Sequence, residues 1–155
     1  MLTLLASAML VPPPPMGDDR TAFLSSVNRF LGALNGNDPA AFAQLLDPDG
    51  RLIRIDLRAG GGRRVSTLRQ FIDKPPTAAD GFVERIGIPS VHQRGPMAEV
   101  WAPYSFWING KRSHCGIDQF SMEKTADGTW KVVALRYTVE AIGDCDALAA
   151  PAETK

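Results

Sequence analysis

The feature that most constrains this chain is a pair of turn signals placed inside a long apolar-alternating stretch near its C-terminal end. Asn109-Gly110 separates a run from about Met97 to Ile108 from another beginning at Arg112. Both turn residues tolerate positive φ, so the pair predicts a two-residue hairpin with Ile108 opposite Lys111. Ala126-Asp127-Gly128 then separates Arg112–Lys124 from Trp130–Glu140 and predicts a second hairpin, a type I turn followed by a glycine bulge. A further strand is expected from about Phe82 to Gln93, with Pro89 marking a bend or an edge position. The second half of the chain is thus predicted as an antiparallel meander.

The first half carries a different period. Phe23, Leu24, Val27, Phe30, Leu31 and Leu34 recur at steps of three and four, the stripe of an amphipathic helix, with Asp18 and Asp19 as caps and Asn35-Gly36 as its end. Asp38-Pro39 opens a shorter helix burying Phe42, Leu45 and Leu46, and Asp47-Pro48-Asp49-Gly50 reads as a turn. Leu52–Leu57 reads as a strand and Gly60-Gly61-Gly62 as a loop. Ser66 is expected to cap a third short helix carrying Leu68, Phe71 and Ile72 before Pro75-Pro76. Helices followed by a meander indicate an α+β domain with helices on one sheet face.

A chain of 155 residues supplies one domain, and 45% apolar with 22% charged residues is ordinary globular composition. Seventeen basic and seventeen acidic side chains cancel, which removes a global pull toward nucleic acid or anionic lipid. Arg51, Arg54, Arg58, Arg63, Arg64 and Arg69 cluster, and are read as a solvated edge strand and loop rather than an anion patch. Residues 1–17 have no charged side chain. Met1–Val11 suits the apolar region of a signal peptide and Pro12–Pro15 an extended segment, so this stretch is set apart from the fold and export to the periplasm or medium is expected, with a cytoplasmic location as the alternative. No stretch there is long enough to span a membrane. In an oxidising compartment Cys115 and Cys145 could form one disulfide. With only His92 and His114 besides, no zinc spacing exists, and neither a metal nor a cofactor is expected.

The stretch WAPYSFWINGKRSHCGIDQFSMEKTADGTWKVVALRYTVE, with the paired helices before it, resembles the nuclear transport factor 2-like superfamily in its SnoaL-like branch. The resemblance spans roughly residues 18–145 and leaves 146–155 as a disordered tail. It implies three N-terminal helices on a strongly curved, mostly antiparallel mixed sheet (a cystatin-like cone), a cavity at the open end, and homodimerisation through the sheet. It does not fix a function, because the superfamily holds isomerases, cyclases, dehydratases, hydrolases and non-catalytic members.

Carried along from the Asn-Gly turn, the register groups Glu99, Trp101, Ser105 and Trp107 with His114, Gly116, Asp118, Phe120 and Met122, and sets Asp118 opposite Trp101. On the other side, a three-residue second loop sets Arg136 beside Asp118, and a two-residue loop sets Tyr137 there; the Ala-Asp-Gly sequence favours the former. Arginine would hold Asp118 as a structural ion pair, whereas an aromatic setting would raise its pKa and suit a general base. The expected site is therefore Asp118 with His114 and Tyr137 as proton partners, and Trp101, Glu99, Trp107 and Arg136 around a ligand. A sheet-fixing Asp118 and a hydrogen-bonded strand-end His114 are the structural alternatives. The leading functional expectation is a small hydrophobic molecule as partner. An enzyme for proton transfer, dehydration or cyclisation, and a dimeric interaction module using Val100, Tyr104, Phe106, Ile108 and Ile117, stand beside it.

Overall fold

The computed structural model describes residues 19–36, 38–75 and 81–153. Helix α1 (Arg20–Gly36) is followed by α2 (Pro39–Leu45), then strands β1 (Leu46–Asp56) and β2 (Arg63–Thr67), helix α3 (Leu68–Asp73), and strands β3 (Phe82–Ile86), β4 (Ser90–Arg94), β5 (Met97–Ile108), β6 (Lys111–Lys124) and β7 (Trp130–Val139). Among the described residues two helices precede the sheet, and the third is inserted between β2 and β3. The seven strands form one mixed sheet in the order β2-β1-β7-β6-β5-β3, with β4 also pairing with β5. The β1–β7 pairing is parallel and the others are antiparallel.

Local chemistry accounts for most boundaries. Asp38 accepts the Ala41 amide at 3.1 Å and Pro39 occupies the first turn of α2. Helix α3 starts from a reciprocal capping box between Thr67 and Gln70, one residue beyond the expected Ser66 cap. The Asp19 carbonyl accepts the Ala22 and Phe23 amides at the start of α1, and its carboxylate Oδ2 takes the Lys124 ammonium at 2.6 Å, tying that end of the helix to β6. The expected Phe82–Gln93 strand is two strands broken at Gly87-Ile88-Pro89. The Asp47–Gly50 turn is an irregular extended stretch of β1, with the ladder jumping from Leu46↔Val132 to Arg51↔Ala134. Gly50 is required there, because a Cβ would collide with the Val133 carbonyl oxygen.

The helical stripe and the inner sheet face meet in one core. Phe30 sits at its centre, 5.5 Å from both Phe42 and Phe120 by ring centroid. Fully buried Val27, Leu45, Leu46, Val100, Met122 and Val132 surround it. These residues fill the sheet's inner face at the helix end and leave the far end of β5–β7 free to line a cavity.

Residues 146–153, expected as a loose tail, lie against the outer face of β5 and β6. Cys115 and Cys145 are joined in a disulfide with Cα atoms 5.7 Å apart. Further along, the Pro151 carbonyl accepts from Ser105 Oγ at 2.7 Å and from Arg112 Nη2. The expected signal-like segment and residues 154–155 lie outside the described residues.

Candidate functional site

Two bulges decide which side chains face the cavity. Asn109 and Gly110 adopt φ of 50° and 74°, and Ile108 pairs with Lys111 as the turn dictates. The register then shifts: Trp107 pairs with Arg112 but Phe106 pairs with His114, leaving Ser113 as an extra residue. One residue of slip exchanges the faces of one strand relative to the other. Asp118 is consequently opposite Ala102, and Trp101 opposite Gln119. The inner face of β5 is Ala98, Val100, Ala102, Tyr104 and Phe106, not the odd-numbered set.

The second hairpin repeats the pattern. Gly128 has φ of 88°, and the Thr125 amide donates to the Thr129 carbonyl at 2.8 Å, closing the expected three-residue loop. Lys124 pairs with Trp130, which alone would carry Arg136 to Asp118. Between Ser121↔Ala134 and Met122↔Val132, however, Val133 is extra, so Tyr137 is the neighbour of Asp118. Arg136 points outward and donates to Gln119 Oε1 at 3.4 Å. The ion-pair arrangement expected from the favoured loop is thereby overturned.

The resulting cavity has a volume of about 230 Å³. Phe30, Leu34, Leu52, Phe71 and Leu135 form its apolar part, and Tyr104, Phe106 and Tyr137 its aromatic wall. Five polar or ionisable groups converge on it: Asp118, Glu84, Tyr137, His114 and, from β1, Arg54. Across the sheet, Ala102, Asp118, Tyr137 and Arg54 form one row and Glu84, Phe106 and His114 another.

Asp118 is 3% exposed, and its Oδ2 has no hydrogen-bond partner among the described residues. Burial, followed by the nearby Glu84 carboxyl, raises its pKa well above the ordinary aspartate range. Burial likewise raises Glu84 to about 8. Burial thus favours the neutral form of both acids. Asn35 fixes the Glu84 backbone from α1, its Nδ2 donating to the Glu84 carbonyl at 2.9 Å and its Oδ1 accepting the Glu84 amide at 2.8 Å.

His114 stacks on Phe106 with centroids 5.0 Å apart and meets the edge of Tyr104. Burial, with help from the Arg58 and Arg54 charges, lowers its pKa to about 4, so it is a neutral imidazole at physiological pH. The Tyr104 hydroxyl donates to the Thr138 carbonyl at 2.6 Å, and burial raises the phenols of both Tyr104 and Tyr137.

Asp118, His114 and Tyr137 thus share the cavity, whereas the other expected ligand contacts do not. Trp101, 51% exposed, lies with Arg136 in a shallow groove of about 110 Å³ on the outer face, and Glu99 is exposed there too. Trp107 is buried, with the Arg112 guanidinium 5.8 Å from its ring. Tyr104, Phe106 and Val100, expected on the outer face, point inward. Glu84, Arg54 and Asn35 were not singled out from the sequence. The signal for Glu84 is present in Phe82-Val83-Glu84-Arg85-Ile86, where a carboxylate alternates onto the face of two apolar residues.

No protein-family model and no curated protein matches the sequence. Solved structures do match its fold. A nuclear transport factor 2-like superfamily protein from Salmonella enterica serovar Typhimurium superposes with a TM-score of 0.62 at 19% identity, over 79% of this chain and 91% of that one. A nuclear transport factor 2-like protein with a cystatin-like fold from Novosphingobium aromaticivorans gives 0.61 at 17%, over 84% and 88%. The CaMKII hub of S. rosetta gives 0.58 at 21%, over 83% and 99%. The chain therefore has the nuclear transport factor 2-like, cystatin-like fold.

Proposed function

We propose that this protein binds a small, largely apolar molecule carrying a hydrogen-bond acceptor such as a carbonyl oxygen. The observation behind this reading is a buried, unpartnered Asp118 carboxyl facing a 230 Å³ cavity with apolar and aromatic walls. A neutral carboxylic acid is a hydrogen-bond donor, and an acceptor entering the cavity would satisfy a group that is costly to leave unpaired. Engineered cavities of about 150 Å³ already admit benzene, so a ring with a short polar substituent is of suitable size. NMR titration with acetophenone and with ethylbenzene tests the reading. Both are expected to move cavity resonances, acetophenone more tightly, and Asp118→Leu should remove the difference. Absence of any shift at Phe71, Tyr104 or Leu135 would reject it.

A second reading is proton-transfer catalysis on such a carbonyl. It is supported by two carboxyl groups in one cavity, both raised by burial, the Glu84 carboxyl to about 8. In this reading Asp118 is the acid that hydrogen-bonds the carbonyl oxygen, and the fraction of Glu84 that ionises as pH approaches 8 removes the α-proton, a role the sequence had suggested for Asp118. Deuterium uptake at the α-carbon of 2-tetralone, lost in Glu84→Gln, is the expected result. No acceleration over buffer would dismiss catalysis.

Homodimerisation through the outer sheet face is proposed on the exposed Trp101 and Met97, with the C-terminal segment confining the contact to the part it leaves open. The disulfide supports an oxidising compartment, and hence export. No helix among the described residues is long and apolar enough to cross a membrane. A SnoaL-like assignment within the fold is part of the same proposal.

A further inference from the structure

The rim of the cavity carries an unbalanced positive charge. Arg58 binds Asp56 through two hydrogen bonds, Nε to Oδ1 at 2.9 Å and Nη2 to Oδ2 at 2.8 Å, which makes a neutral pair. Arg54 adds one more bond to the same Oδ2 at 2.6 Å, so two cations share one carboxylate. Of five N–H groups, Arg54 uses one there and turns the rest of its guanidinium along the cavity wall. Arg64 lies directly opposite Arg54 in the β1–β2 ladder, and alternation puts both on the cavity side. Like charges opposed across an antiparallel pair are destabilising unless an anion lies between them. The phenol of Tyr137, inside the mouth, feels the field of both. The interior carboxyls do little to balance that field, because burial favours the neutral form of Asp118 and Glu84.

We propose that Arg54 and Arg64 form a carboxylate-binding rim, so that the ligand is a small amphiphilic acid whose apolar body fills the cavity. This rests on the cavity-binding reading and adds the ligand's charge and orientation to it. A guanidinium presents planar, paired donors that match a carboxylate, and Arg54 is fixed by Asp56 before the ligand arrives. The Arg58–Asp56 pair acts as a positioning element. The acid's polar end is then held at the mouth, and its far end reaches the Asp118 carboxyl.

The test is a calorimetric titration of the full chain at neutral pH and low salt with 3-phenylpropionate and its isosteric neutral amide, 3-phenylpropanamide. The carboxylate is expected to bind roughly tenfold more tightly, the scale of one charge-assisted hydrogen bond. Arg54→Gln and Arg64→Gln should each pull that ratio toward one. Arg29→Gln, on α1 away from the cavity, should keep it. If Arg54→Gln fails to fold, Arg64→Gln on the exposed edge strand reads the same quantity. Equal binding of the two probes, or a ratio surviving both substitutions, overturns the carboxylate rim and leaves the cavity reading intact. Binding of acetophenone but of neither probe has the same meaning. Failure of all three overturns both.

Discussion

Replacing Asp118 by asparagine should make the protein more stable at neutral pH, and the gain should grow with pH. In the native state the carboxyl is buried with an unpartnered oxygen, and its pKa is raised. In the unfolded chain it ionises near the ordinary aspartate value of about 4. Between those two values the unfolded state has lost a proton that the native state keeps, so rising pH favours unfolding. The stability this group contributes is complete below the unfolded value and is lost as pH climbs toward the folded one, at up to about 1.4 kcal/mol per pH unit. Wild type should therefore lose stability through Asp118 as pH rises above the unfolded value, each pH unit counting for up to about 1.4 kcal/mol of a typical 5–15 kcal/mol total. Asparagine has nearly the same shape and does not titrate in this range. Its stability curve should be flatter, and the gap between variant and wild type should widen by up to about 1.4 kcal/mol for each pH unit. Urea unfolding followed by tryptophan fluorescence would show this as a midpoint difference that grows with pH. Parallel curves, or a gap that narrows with pH, would refute the reasoning, since they would mean Asp118 is ionised in the native state.

Three other outcomes follow from the same geometry. Asn35→Ala strips partners from both the amide and the carbonyl of Glu84, and should cost about 1–3 kcal/mol in chemical denaturation while weakening binding of acetophenone. Joint replacement of Cys115 and Cys145 by serine opens a loop of 30 residues and should cost about 3–4 kcal/mol, seen as a lower melting temperature that reductant no longer affects. Thr67→Ala removes the side-chain half of the α3 capping box and should cost about 0.5–2 kcal/mol, whereas Thr67→Ser should restore most of it.

The helices and turns were legible because their signals are local. A stripe of period 3.6, Asp38-Pro39, Asn109-Gly110 and Ala126-Asp127-Gly128 each act within a few residues, and each yields the expected element. Register close to each turn follows from the turn itself. What was not legible is the pair of bulges at Ser113 and Val133, where the chain gives no glycine or proline cue. The Val133 bulge answers β1: the Asp47–Gly50 irregularity of β1 faces Val133, with Gly50 brought close to its carbonyl. Their effect on the site is large because a one-residue slip is a change of face. It moved Trp101 and Glu99 out of the site, brought Tyr104 and Phe106 in, and replaced Arg136 by Tyr137 beside Asp118. Asp118 and His114 kept their places because they share β6 with Phe120 and Met122, whose burial fixes that face independently of pairing. Of the arginine cluster, Arg63 and Arg64 lie on β2, the sheet's edge as expected, whereas Arg51 and Arg54 lie on β1, which is paired on both sides, and Arg69 lies in α3. Arg54 departs from that reading because it shares an inward face with Leu52.

The central claim, that the cavity is a binding site whose polar anchor is a neutral Asp118, is tested most directly by a crystal structure of the protein equilibrated with acetophenone. The expected result is the ring among Phe30, Phe71 and Leu135, with the carbonyl oxygen within hydrogen-bonding distance of Asp118. An empty cavity, or acetophenone held only in the outer groove beside Trp101, would contradict it.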